Sequence, residues 1–131
     1  MPGSNLFTYT LLVLTCLLIH TCTEPETAKL GEAFALRFGQ SIDVEGEPLS
    51  LKFIDVVGDS RCPTGVVCVW EGNAEVALLA NADTLNLNTT LDPKSDSVDG
   101  YVITLLTVTP YPSVDEPILK SRYSIEMLVT K

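Results

Sequence analysis

Histidine is almost absent from this sequence of 131 residues, and the single one, His20, lies in the apolar N-terminal segment. A Ser-His-Asp or Cys-His nucleophile system therefore has no base in the rest of the chain, and a zinc site would lack its commonest ligand. Basic residues are also few, eight against 17 acids, and they are scattered from Lys29 to Lys131. Without a basic cluster the chain lacks the electrostatic footprint of a nucleic-acid-binding protein. We predict no catalytic residues, no metal or other cofactor and no nucleic-acid partner.

Charge is missing altogether from residues 1–21. Within them, Leu11 to Ile19 form an uninterrupted run (LLVLTCLLI) that is much shorter than the ~20 apolar residues of a transmembrane helix. A short apolar run followed by small polar residues is typical of a secretory signal, although no Lys or Arg precedes it here. We predict that residues 1–21 are a cleaved signal peptide and that the rest of the chain is exported.

Cys22 follows this run directly, and the preceding Ile19-His20-Thr21 resembles the lipobox of bacterial lipoproteins. The resemblance implies that Cys22 is lipidated and becomes the mature N-terminus, although His20 and Thr21 are atypical. Residues 22–31 then form a lipidated cysteine and a polar tether, and the protein is a periplasmic or outer-membrane lipoprotein. The alternative is ordinary cleavage near Cys22, which would give a secreted protein.

Alternation of apolar and polar residues dominates the remainder, residues 32–131. The spacing of two is clearest at Tyr123, Ile125, Met127 and Val129, and it recurs at Phe34, Leu36 and Phe38. This period predicts half-buried strands, about seven in all, with Ala74–Ala80 and the following leucines paired as a hairpin. No amphipathic helix is available to cover an apolar sheet face. The prediction is therefore one antiparallel, immunoglobulin-like β-sandwich, with a small barrel as the alternative.

Two cysteines, Cys62 and Cys68, remain unpaired once Cys16 leaves with the signal and Cys22 is lipidated. In an exported protein such a pair is expected to be oxidised, and its five intervening residues do not match the C-x-x-C spacing of redox enzymes. We predict a structural disulfide whose main effect is to fix the shape of one loop.

That loop is the candidate binding site, because loops on a rigid sandwich commonly carry function. Its candidate residues are Asp59, Arg61, Pro63, Thr64, Gly65 and Trp70. If the segment is extended, Trp70 and Cys68 point to the same face, so we expect the indole to pack on the disulfide. The other possibility is an exposed aromatic anchor for a partner.

Acidic residues flank the loop at Asp55, Asp59 and Glu71, and three more, Asp92, Asp96 and Asp99, share a polar segment. Oxygen ligands of this kind suit Ca²⁺, and a pair of carboxylates can catalyse sugar hydrolysis. A carboxylate-dependent or calcium-requiring hydrolase is therefore one alternative function. A protease inhibitor that presents Arg61 on the Cys62–Cys68 loop is another.

The series Asp59-Ser60-Arg61-Cys62-Pro63, Gly65, Cys68, Trp70 and Gly72-Asn73-Ala74 resembles an uncharacterised family of small bacterial envelope proteins, often lipoproteins. Members carry D-S-R-C-P followed by C-x-W-x-G-x-A, and the similarity spans about residues 30–130. It implies export and a compact β domain, with no assigned activity; Glu71 stands where a small residue is usual. We expect a non-enzymatic, membrane-anchored domain that binds or supports an unknown protein or other component of the cell envelope.

Overall fold

The structure, a computed structural model, describes residues 26–131, which form nine β-strands and one short 3-10 turn at Lys120–Arg122. The strands are β1 (Thr27–Ala28), β2 (Phe34–Arg37), β3 (Ser41–Val44), β4 (Ser50–Asp59), β5 (Ala74–Ala80), β6 (Asp83–Asn88), β7 (Ser95–Val98), β8 (Tyr101–Thr109) and β9 (Ser124–Thr130). Within these residues no helix has the length and apolar character needed to cross a bilayer. The signal peptide predicted at residues 1–21 and the lipidation predicted at Cys22 fall outside the described residues.

Two sheets face each other. One has the strand order β1-β3-β4-β5-β6 and the other β2-β9-β8-β7. Their inner faces meet in a single core whose largest members, among them Phe53, Leu78, Ile103 and Met127, are fully buried. The predicted β-sandwich is confirmed, and because the two sheets do not close into one, the barrel alternative is wrong.

The period of two that predicted strands also determines which side chains enter the core. In β9, Ile125, Met127 and Val129 are buried while Glu126 between them is exposed. The predicted hairpin is present as β5 and β6, joined at Asn81 in the left-handed conformation (φ 52°). Asn81 tolerates this conformation better than most residues, and its Oδ1 accepts a hydrogen bond from the Ser50 amide.

The strand count and the domain boundary differ from prediction. Nine strands form instead of about seven, because β1 lies in the predicted tether and β7 in a segment taken as a polar loop. Ala28 of β1 is buried and β1 pairs with β3 in parallel, so the sandwich begins before residue 32 and is not wholly antiparallel. β1 has only two residues and β7 is short and mostly polar, which is why alternation did not reveal them.

The two ends of the sandwich differ. Loops of residues 60–73, 89–94 and 110–123 gather at one end, which we call the loop end, whereas tight hairpin turns occupy the other, the hairpin end. β4 extends beyond its partner β3 toward the loop end, where its last residues pair only with β5. The disulfide-bounded loop therefore emerges at the loop end.

Candidate functional site

A buried ion pair forms the base of the disulfide-bounded loop. Arg61, only 5% exposed, donates from Nε to Oδ1 of Asp59 over 2.8 Å and from Nη2 to Oδ2 over 2.6 Å. The guanidinium also donates to the carbonyl oxygen of Val108 in β8 of the opposite sheet and to that of Pro110, just beyond the end of β8. A two-point pair whose remaining donors are satisfied is the geometry in which buried charge is tolerated. It holds the end of β4 against the end of β8.

Two tyrosines complete this ion-pair cluster, which we define as Asp59, Arg61, Tyr111 and Tyr123. The Tyr111 ring covers the guanidinium, with its centroid 4.7 Å from Cζ, and the Tyr123 hydroxyl donates to Asp59 Oδ2 over 2.8 Å. Burial opposes ionisation of Asp59, but hydrogen bonds from Arg61 and Tyr123 outweigh it and lower its pKa. Burial and the hydrogen bond to Asp59 raise the pKa of Tyr123 to about 12. At neutral pH the carboxylate is charged and the phenol is neutral.

The loop has two legs, the outgoing residues 60–62 and the returning residues 71–73. The conformation of the return leg depends on Gly72 and Asn73. Gly72 has φ 75°, and a Cβ there would lie 2.0 Å from the backbone oxygen of Ser60. The neighbouring Asn73 is buried; its Nδ2 donates to Asn88, and its Oδ1 accepts from the amides of Thr90 and Leu91. The two legs are thus in close contact, and the return leg also fixes the segment after β6.

Between the legs, a disulfide joins Cys62 and Cys68, with their Cα atoms 5.9 Å apart, as predicted. The Cys62 amide donates to the Glu71 carbonyl, and the Thr64 amide donates to the Pro112 carbonyl. Thr64 also forms an isolated parallel bridge with Ser113. The start of the loop is therefore hydrogen-bonded to its own return leg and to the loop of residues 110–123.

The outer part of this loop carries a group of exposed apolar side chains, which we call the Val-Trp tip. Its members are Val66, 47% exposed, Val67, 101%, Val69, 106%, and Trp70, 54%. Tyr111 and Val114 on the adjoining loop are also more than half exposed. No charged residue occurs between Cys62 and Trp70. Exposed apolar residues grouped in this way make the tip a candidate interaction surface.

The structure redistributes the predicted site residues. Thr64 and Gly65 are exposed and Pro63 is half-buried, as a binding loop requires. Arg61 and Asp59 are instead buried against each other, so neither can serve as a contact side chain, and Arg61 cannot enter a protease pocket. Trp70 is 54% exposed, so the indole is not buried in the core beside the disulfide as the sequence suggested. The segment around it is not a strand, so two-residue spacing does not put both residues on one face.

The flanking acids do not converge on a ligand. Asp55 pairs with Lys120 at 2.5 Å, Asp59 pairs with Arg61, and Glu71 is exposed beside a cleft of about 330 Å³ next to the ion-pair cluster. Across residues 26–131 no three His, Cys, Asp or Glu side chains gather in a way that could hold a metal ion. The hydrolase and calcium alternatives stay predictions.

No family model, curated protein or solved structure matches this chain. The exposed valines and Trp70 lie on the loop that the sequence predicts as a binding site, and that role stays a prediction. Val69 was not among the predicted site residues. The available signal was an uncharged, valine-rich segment around Cys68, because exposed loops are usually polar.

Proposed function

We propose that this chain is an exported β-sandwich domain, tethered to a membrane of the cell envelope through lipidated Cys22, that acts by binding rather than by catalysis. The contact surface is the Val-Trp tip. The observation that carries the proposal is the exposure of four large apolar side chains on a loop that a disulfide and a buried ion pair hold in place.

Rigidity and exposure together favour a binding role. A loop fixed before it meets its partner loses little conformational freedom on binding, so its apolar area contributes more of its full value to affinity. The residues around the tip serve the scaffold: Arg61 joins the sheets, Gly72 permits the close contact of the legs, and Ala74 is fully buried. Trp70, in contrast, has no such scaffold role, since its large apolar side chain is more than half exposed.

Anchoring is tested by fractionating bacteria that express the full chain and by measuring the mass of the mature protein. We expect the protein in the membrane fraction, with diacylglycerol on an N-terminal Cys22. Cys22→Ser should abolish the modification and release the protein, because the thiol is the acceptor. The matched control is Cys16→Ser, which changes the cysteine within the apolar run and should leave the mature mass unaltered. An unmodified mature N-terminus in the wild type would refute the tether.

Binding through the tip is tested in the same cells with a photo-crosslinking amino acid at position 67. The control carries the crosslinker at position 82, which is exposed at the hairpin end. We expect adducts, whether with protein or with lipid, from position 67 and few from position 82. Equal or absent crosslinking at both positions would contradict a binding role for the tip.

A further inference from the structure

We infer that the occupant of the Val-Trp tip is the surface of a lipid bilayer, into which the exposed valines and Trp70 insert while the ion-pair cluster stays outside. This inference rests on the proposed function, because it uses the tether to bring the tip to the membrane. It specifies the partner, which is the region of the bilayer where lipid headgroups meet the acyl chains.

The direction of the first strand shows that the chain enters it from the side of the loop end. β1 runs parallel to β3, and β3 runs antiparallel to β4. β1 therefore runs opposite to β4, whose last residue leads into the disulfide-bounded loop. Glu26 accordingly lies on the loop-end side of Thr27, where its carboxylate accepts a hydrogen bond from Gln40, just before β3. An anchor at Cys22 would draw the loop end toward the membrane.

The lengths determine how the domain would lie. Thr27 is level with Asp43, which pairs with Ser50 at the start of β4. From there to Asp59, β4 advances about 30 Å at ~3.3 Å per residue. The five residues from Cys22 to Thr27 span at most about 17 Å when fully extended. The anchor and the Val-Trp tip can therefore reach the same membrane surface when the long axis of the sandwich is inclined to the membrane. The loop end then touches the bilayer.

Shape and charge favour a bilayer over a protein groove or a second copy of the chain. Val67 and Val69 are fully exposed, so the tip is convex. A protein partner would need a matching apolar pocket, whereas fluid lipid can adapt to the shape of the tip. The cleft beside the ion-pair cluster is lined by Glu71 and four threonines as well as apolar side chains, so it offers the tip of another copy a partly polar surface. Trp70 and the half-exposed Tyr111 are residue types enriched at membrane interfaces.

Charge also limits the depth of insertion. No ionisable side chain lies between Cys62 and Trp70, and the nearest cation, Arg61, is paired with Asp59 below the tip. The next residue, Glu71, is exposed and resists entry into hydrocarbon. The net charge of −9 disfavours anionic lipid, so the tip depends on the tether to hold it at the surface.

Trp70 is the only tryptophan of the chain, so its fluorescence reports on the tip alone. The lipidated protein, purified from membranes, is reconstituted into vesicles of phosphatidylcholine and phosphatidylethanolamine. We expect emission at shorter wavelength than in the detergent-free Cys22→Ser chain mixed with the same vesicles, and severalfold weaker quenching by acrylamide. Phosphatidylcholine brominated near the top of its acyl chains should quench the lipidated protein strongly.

The variant Val67→Ser/Val69→Ser should restore acrylamide quenching and lose bromolipid quenching, whereas Val102→Ser, at the hairpin end, should behave as the wild type. Trp70 that stays accessible to acrylamide while mass measurement shows lipid on Cys22 would overturn the inference and leave the tether intact. Protection found only in native envelopes would indicate a protein partner. Protection that rises with the protein-to-lipid ratio would indicate a second copy, and either result overturns insertion.

Discussion

Gly72 is the position at which both the backbone conformation and a close contact require glycine. Its φ of 75° lies in the left-handed region, and a Cβ would meet the backbone of Ser60 and Arg61, at 2.0 Å from the Ser60 oxygen. A backbone atom cannot move aside as the end of a flexible side chain can. Gly72 is thus required by the close approach of the two sides of the loop.

Gly72→Ala should therefore lower the free energy of unfolding by more than the ~1–2 kcal/mol that a left-handed conformation costs an alanine. The matched control is Gly46→Ala, at φ 74° with no atom within 4 Å of the new Cβ. It shares the conformational cost and lacks the collision. Urea denaturation of both variants measures the difference, and equal losses would show that the legs separate readily.

At the scale of elements, the loop of residues 60–73 is held at three levels. The ion-pair cluster secures its start against the second sheet, Asn73 secures its end against the segment after β6, and the disulfide closes its middle. One hydrogen bond, from the Thr64 amide to the Pro112 carbonyl, also joins this loop to the neighbouring one. Because the legs are fixed independently, the disulfide chiefly orders the tip and is not needed to form the sandwich.

Replacing both cysteines, Cys62→Ser/Cys68→Ser, should lower the free energy of unfolding by about 2 kcal/mol, the value expected for closing so short a loop. The fold should persist, and the fluorescence anisotropy of Trp70 should fall because the tip gains motion. Reduced wild-type protein serves as the control and should match the variant in both respects. Loss of the sheet signal in circular dichroism would show that the disulfide supports the fold itself.

At the scale of the molecule, alternation sufficed to predict two packed sheets because long strands such as β9 have one face in the core and one in water. It did not reveal β1 or β7, whose few residues gain their place from neighbouring strands rather than from their own pattern. The burial of Arg61 could not be predicted from the sequence either. Its partners Val108 and Pro110 are nearly 50 residues away, and no local signal relates them.

The contact between the two sheets at the loop end depends on a charged carboxylate. Asp59, on the first sheet, accepts hydrogen bonds from Arg61 and from Tyr123, and Arg61 in turn donates to the Val108 carbonyl of the second sheet. The pKa of Asp59 is lowered by these bonds despite its burial. A carboxyl group whose pKa is lower in the folded than in the unfolded chain stabilises the fold above its unfolded pKa, near 3.9 for Asp.

The stability contributed by Asp59 should therefore be complete above about pH 5 and should decline as the pH falls through ~3.9 toward the lower pKa of the folded state. Asp59→Asn, which leaves Arg61 buried without its counter-charge, should cost roughly 3 kcal/mol at pH 6. As the wild type is protonated in acid, the gap between the two proteins should close. Urea denaturation at several pH values measures that gap, with Asp83→Asn as the control for an exposed carboxylate. A gap that stays constant down to pH 2 would mean that the charge of Asp59 does not hold the two sheets together.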